Sequence, residues 1–342
     1  MIVTDTPLNV HKQRASVLDS SFAQIDWQAP WLYHLQQLDY LDGAITRLSS
    51  GGAEADAPNR LANQDHAKDS IAQVLNTALN QQSDSQKTSA PTTKPSANHQ
   101  AYALEFVSQE DLPVGQGYEQ FIATTGKIPT RNNLHDLFNG SIWLTFPKTK
   151  AMLNYHHMLE IAKHSDAPNN QKTRGRVRDT ITVFDENGAV LVTADVSIGT
   201  ALINFDWQNS LVKPRDNWDN PKLVNKELSS TDAQAAVYIF GHALLEQLIQ
   251  PRKPLCAHSV IIEVSPSFFA LSLAERIHYL DDKLAHYMDE LLSTNHVTPR
   301  QLAPLPILGV PHFWAENTDA RFYEDTHVFR NGRQRQKRPN SV

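Results

Sequence analysis

Between Arg131 and Asn154 the chain reads RNNLHDLFNGSIWLTFPKTKAMLN, placing chemistry-bearing residues at helical spacing where a plain core helix would carry aliphatics. His135 and Asn139 stand four residues apart and so share a helix face, while Leu134, Leu137, Phe138 and Ile142 already supply the apolar seam. An imidazole there can move a proton near neutral pH or ligate a metal, and a carboxamide can orient a substrate or a water. The same pair, fully hydrogen-bonded, could instead lock the helix against a loop. Asp136 is equally two-sided. It is either a catalytic carboxylate beside His135 or the third residue of a helix capped by Asn133, binding the cap's backbone and complementing the helix dipole. One His, one Asp and one Asn fall short of a ligand set, so no metal ligand is assigned and the cofactor is left open.

Pro147 suits a first helical turn and restricts its predecessor, so it splits this region into two helices, the second opening on Lys148 and Lys150. A helix N-terminus offers unpaired N–H groups and a positive dipole end. Two lysines there, with Arg174, Arg176, Arg178 and Asp179 brought near, would suit a phosphate or carboxylate. In the structural alternative Arg178 pairs with a core carboxylate and the other cations are solvated. His312 and Trp314, in a proline-rich C-terminal stretch, either cap such a pocket or pin the stretch to the core.

Other polar clusters have plainer expectations. His156, Glu160 and His164 recur at four-residue steps, with His157 three before Glu160; Met152, Tyr155, Leu159 and Ala162 are taken as the buried side, which leaves the histidines on an exposed, ion-paired face rather than at a metal. Asp185 and Glu186 precede Asn187-Gly188 and read as turn residues of a β-hairpin. His242 lies between Tyr238 and Glu246 at helical spacing, as a hydrogen-bonded core histidine would. Cys256 has only His258 nearby to support a nucleophilic role. No P-loop, dinucleotide fingerprint, nucleophile elbow or H-E-x-x-H is present.

The elements that must position these groups are mostly helical. Residues 20–48 carry the apolar and aromatic anchors of a docking segment, after a flexible N-terminus over 1–19. Residues 49–100, rich in Ser, Gln, Asn, Ala and Thr, read as a disordered polar insertion, with HAKDSIAQVLNTALN as a transient helix. The main domain follows over 101–330. ALEFV reads as a strand, DLPVGQGYEQFIATTG as a turn and short helix ended by Gly126, and RDTITVFDENGAVLVTA as a hairpin. TDAQAAVYIFGHALLEQLI is a long helix, HSVIIEV a strand, and LAERIHYLDDKLAHYMDELL an amphipathic helix. LAPLPILGVPHFWAENTDARFYED is an extended strap anchored by Phe313, Trp314 and Phe322. The class is α+β, a mainly helical single core with a small hairpin or sheet.

Bulk properties bound the function. The 342 residues (38.4 kDa) are 40% hydrophobic with mean hydropathy −0.44, and no apolar run approaches the roughly 18–20 residues of a spanning helix. MIVTDTPLNVHKQR lacks a signal-peptide pattern, and the single Cys256 excludes an intramolecular disulfide and a multi-thiolate zinc site; together these suggest a cytoplasmic protein. The net charge is −6, yet the C-terminal stretch holds Arg330, Arg333, Arg335, Lys337 and Arg338 without an acid. The remaining body is therefore more acidic still, which argues against an extended nucleic-acid surface and leaves a basic, disordered tail over 331–342 for RNA or an acidic protein partner.

PTRNNLHDLFNGSIWLTFPKTKAMLN, RGRVRDTITVFDENGA, FGHALLEQLIQPRK and LPILGVPHFWAENTDARFYED occur in the order of a bacterial family, and with DWQAPWL they make the chain resemble domain of unknown function 3025. The resemblance implies a common fold and no established activity. From the residues themselves, the leading expectation is a protein that binds a small anionic ligand, with or without turning it over, with His135 as the acid/base or ligand-orienting group, Asn139 as positioner and the cations as clamp. A non-catalytic adaptor using the basic tail is the alternative, and a metal-dependent hydrolase the third.

Overall fold

In the computed structural model, residues 20–49, 70–87, 104–165, 175–223, 232–294 and 296–332 are described. The expectations for the N-terminus, for 50–69 and 88–103 of the polar insertion, for Arg174, and for the basic tail from Arg333 onward lie outside these residues.

The docking segment is present: Trp31, Leu32, Tyr33 and Leu35 of the helical turn Pro30–Leu38 enter the main core, followed by helix α1 (Asp39–Ser49). Helix α2 (Ile71–Lys87) lies inside the polar insertion, where helical spacing was read over HAKDSIAQVLNTALN. Its Ile71, Val74, Leu75 and Ala78 form a single apolar stripe buried in a second core with Leu41, Ile45, Phe106 and Trp143. The Asn76 carboxamide both accepts from Phe106 N (2.8 Å) and donates to Phe106 O (2.7 Å), tying α2 to strand β1 (Glu105–Ser108).

Helix α3 (Tyr118–Thr125) stops at Gly126, whose φ of 72° is the left-handed geometry that suits glycine, and strand β2 (Lys127–Thr130) pairs in parallel with β1. Helix α4 (Leu134–Thr145) begins where Asn133 Oδ1 accepts from Asp136 N at 2.8 Å. It is wedged between the two cores, with Phe138 and Ile142 in the main one and Leu137, Trp143 and Leu144 in the second. Gly140 permits the close approach of α2, since a Cβ there would stand 2.2 Å from Leu75 Cδ1.

Helix α5 (Pro147–Ser165) starts at the expected proline but turns the other way. His156, His157 and Glu160 are buried, whereas Tyr155 and Leu159 are 39% and 36% exposed. The face exchange follows from the partners: α5 packs on the helices over 176–187 and 273–292, which present groups that satisfy imidazoles. His156 Nε2 lies 2.8 Å from Asp289 Oδ1, and Arg178 Nε donates to His157 Nε2 at 3.3 Å. The His164 side chain lies outside the described residues.

RDTITVFDENGAVLVTA is not a hairpin. Helix α6 (Arg176–Asn187) runs directly into strand β3 (Gly188–Thr193). Thr180, Ile181 and Phe184 are buried at three- and four-residue steps, a helical period that overrides the β-branched composition, and Asp185 and Glu186 are last-turn helix residues. Helix α7 (Val196–Ile203) follows. The expected long helix after Ser230 is instead strand β4 (Ala235–Ile239) and helix α8 (His242–Gln247), because AAVYI is buried on both sides of a sheet.

With β5 (Cys256–Glu263) and β6 (Ala303–Pro306), these strands form a four-stranded sheet in the order β4-β3-β5-β6; β3 pairs antiparallel with β4 and parallel with β5, and β5 antiparallel with β6. Helix α9 (Leu273–Leu292) opens with a Ser272–Glu275 capping box and packs on α5. The strap closes over the main core through Phe313, Phe322, Tyr323 and Phe329, with Trp314 only partly buried. The molecule is a mainly helical α+β protein, and no described helix is long and apolar enough to cross a membrane.

Candidate functional site

Three helix segments converge on one polar cluster. Because α4 is buried on most of its circumference, His135 and Asn139 are left as a narrow, partly open strip. Asp185 and Glu186 come from the last turn of α6, and His242 and Glu246 from one face of α8. Gly241 lets the start of α8 touch the end of α6, and Gly188 lets α6 pass into β3 against Phe184. A Cβ on Gly241 would fall 2.5 Å from Glu186 O, and one on Gly188 would fall 2.2 Å from Phe184 O. Gly241 N donates to Gly188 O at 2.8 Å, which seats His242 beside the two acids, and the packing of α8 on α4 adds His135.

The two imidazoles face each other edge to face, with His242 Nε2 3.0 Å from His135 Nε2. Glu186 Oε2 stands 3.6 Å from His242 Nε2, and one donor atom from each of the three residues can be chosen with all separations within 4.8 Å. The outer nitrogens face carboxylates: His135 Nδ1 is 3.0 Å from Glu246 Oε2, and His242 Nδ1 is 3.8 Å from Asp185 Oδ2.

Protonation follows from this layout. Burial pushes the His242 imidazole down to about 4, against the opposing pull of Asp185, so the ring is neutral at physiological pH. Burial disfavours ionisation of Asp185, but Lys150 and His242 outweigh it and hold its carboxyl below the usual range. A neutral imidazole beside a carboxylate keeps its proton on the nitrogen facing that carboxylate. With its proton at Nδ1, His242 presents a lone pair at Nε2 toward His135 Nε2 at 3.0 Å, where either an N–H of His135 or a cation can meet it. Moving the His242 proton to Nε2 would aim its Nδ1 lone pair, buried and without a hydrogen-bond partner, at an ionised carboxylate. Glu186 sits next to these groups with its pKa raised by burial, an effect that His135 partly offsets.

A second layer fixes the first. Lys150, buried on α5, donates to Asp185 Oδ1 at 2.5 Å and to Asn139 Oδ1 at 2.9 Å. Asn139 Nδ2 in turn donates to the Tyr118 hydroxyl at 3.0 Å, and burial raises that phenol's pKa far above its ordinary value. Lys150 is thereby a neutralising strut behind Asp185.

The expected residues are distributed unequally. His135, Asn139 and Lys150 belong to this cluster. Asp136 serves helix α4 by accepting from Arg131 N at 2.6 Å and from the Arg131 guanidinium at 3.0 and 2.9 Å. The anion clamp is not assembled as expected. Lys148 Nζ pairs with Asp282 at 2.5 Å, and Asp281 accepts from Lys148 N and Thr149 N, both at 2.9 Å, so a protein carboxylate already fills the helix N-terminus. Arg178 binds His157, and Arg176 borders a separate cleft with Glu160 and Lys163; Asp179, in the same first turn of α6, complements that helix's dipole. His312, at a positive φ of 67°, faces Arg215, Asp216 and Asp219, and Trp314 packs against the main core. Sequence reasoning missed Glu186, His242 and Glu246 as partners of His135; the Gly241-His242 pair after a β-rich run was the available signal, read as mid-helix instead.

Residues 104–333 match the model of a family described as "Protein of unknown function (DUF3025)", and the chain belongs to that family. Searches of curated proteins and of solved structures found no match to it.

Proposed function

We propose that this member of the DUF3025 family holds a divalent transition-metal ion between His135, His242 and Glu186 and uses it to hydrolyse a small anionic substrate. The observation that supports this most is the geometry: two imidazole Nε2 atoms 3.0 Å apart with Glu186 beside them, each ring backed by a carboxylate. A cation between them would take both nitrogens as ligands. Metal bonds of about 2.0–2.1 Å at the tetrahedral angle separate two donors by roughly 3.3 Å, which the observed 3.0 and 3.6 Å bracket.

Imidazole with carboxylate is the donor chemistry of zinc and its first-row neighbours. Glu246 and Asp185 are the outer partners that orient ligating histidines and raise their basicity. Three protein donors leave a coordination position open, and an ion so bound lowers the pKa of its water to about 7. The His135 side chain is 33% exposed and that of Glu186 36%, so this position faces solvent. The anionic ligand then enters at the ion, not at the clamp expected from the lysines and arginines.

The test is calorimetric titration of the chelator-treated full chain with Zn²⁺, then assay of p-nitrophenyl phosphate and p-nitrophenyl acetate hydrolysis. One ion per chain is expected, lost in both His135→Ala and His242→Ala, with hydrolysis restored only by metal. Variants that bind Zn²⁺ as the unaltered chain does would sink the metal assignment. Stoichiometric binding without turnover of either ester would leave the centre and remove the hydrolase reading.

A further inference from the structure

A groove of about 420 Å³ lies against the edge of the four-stranded sheet, away from the histidine cluster, and its volume falls in the range of small-ligand sites. Its floor follows from strand alternation. Cys256 pairs with Pro306 and His258 with Pro304, so these four side chains share one face of β5–β6, while Ala257, Ser259, Ala303 and Leu305 point into the core. Prolines on the edge strand lack N–H donors, which makes this floor apolar and unfit to pair with another strand.

One wall is aromatic. Phe205 holds φ at 61°, a left-handed geometry that a bulky residue rarely adopts and that marks functional sites when it occurs. Its ring meets Trp207 edge to face at 5.8 Å, and Trp207 is pinned by a 2.8 Å bond from Nε1 to Arg330 O. The charged lining has one sign. Arg300 and Arg330 border the groove and, among the described residues, no acid does, in a chain whose net charge is −6. Neither arginine is in an ion pair with a described residue. Cys256 is exposed on this floor.

We propose that this groove binds a small amphipathic carboxylate, its apolar body on the Pro304–Pro306 floor and the Phe205–Trp207 wall, its carboxylate on Arg300 and Arg330. The apolar surface supplies contact area and the guanidiniums supply charge-assisted hydrogen bonds, the division of labour common to small-ligand sites. The inference is independent of the metal centre.

The single cysteine gives a direct readout, because Cys256 lies on the floor. Decanoate added to the full chain is expected to slow reaction of Cys256 with Ellman's reagent, whereas decanol at the same concentration protects far less. The Arg300→Gln, Arg330→Gln double variant should raise the half-protecting decanoate concentration about tenfold, the ratio for loss of one charge-assisted hydrogen bond. Calorimetric titration of decanoate reads the same affinity without the thiol. Absence of both protection and heat at millimolar decanoate overturns the site. Equal protection by decanol, or an unchanged arginine variant, overturns its assignment to an anion.

Discussion

Two buried polar groupings of this protein are built from similar charges and end in opposite states. The Arg276 guanidinium, 1% exposed, donates to Asp219 Oδ2 at 2.5 Å, to Leu271 O at 3.0 Å and to Phe269 O, and lies over the Phe268 and Phe269 rings. No buried side-chain atom of that pair lacks a partner. At the His135–His242 cluster the same accounting does not close: the buried His242 Nδ1 is unpartnered, and two Nε2 atoms face each other at 3.0 Å. The closed grouping joins the turn over 215–217, β4 and α9, and its function is cohesion. The open one has its surplus directed to a single point near the surface, where an ion would complete it. What separates structure from site here is the destination of the unpaired capacity, more than polarity or burial.

Removing one partner from the closed pair should have the largest effect. Asp219→Ala leaves Arg276 buried and uncompensated, and about 3–5 kcal/mol of stability should be lost in urea unfolding. A loss under about 1 kcal/mol would mean that Arg276 relaxes to water and that the two groupings are not opposites.

His34 sharpens the comparison because its Nδ1 is also buried and unpartnered, yet its surroundings are Tyr33, Phe146 and Tyr238 and its Nε2–H donates to Ile239 O at 2.8 Å. Burial pushes this imidazole down to about 4, so the fold favours the neutral ring. Its contribution to stability is full above the unfolded pKa near 6.5 and is lost as the pH falls toward about 4, roughly 3 kcal/mol in all. Urea midpoints measured at pH 7.5 and 4.5 should differ less in His34→Gln than in the unaltered chain. An identical difference would remove His34 as the structural counterpart of His242.

The smallest effect tests the outer carboxylates. Glu246→Gln keeps the shape beside His135 Nδ1 but removes the charge, and Zn²⁺ affinity should fall about 10–100-fold with little change in unfolding. If affinity is unchanged, Glu246 is only a surface acid, and the open grouping loses one of its two flanking charges.

Local signals were legible where one segment carries its own instructions. The Asn133 cap, the break at Pro147 and the stop at Gly126 each stand where the sequence places them, because capping and proline geometry act within a turn. His135 and Asn139 were readable as a polar strip because the apolar seam of α4 excludes them. Asp136 shows the limit: its capping position was evident, but its bond to Arg131 requires the loop's path.

Periodicity misled wherever a neighbour decided burial. The α5 histidines face inward because Asp289 and Arg178 meet them there, and ITVF is helical because Phe184 and Ile181 pack with their period onto the sheet's core. Sequence by itself determined the family, the mainly helical α+β class, the absence of common catalytic motifs and the strip on α4. Only the tertiary structure brought His242, Glu186 and Glu246 to His135, across separations of 51 to 111 positions. The physical reason is that the encounter is set by Gly241, whose missing side chain lets the start of α8 lie against the backbone of Glu186, Asn187 and Gly188, and a contact permitted by an absent atom has no periodicity to read.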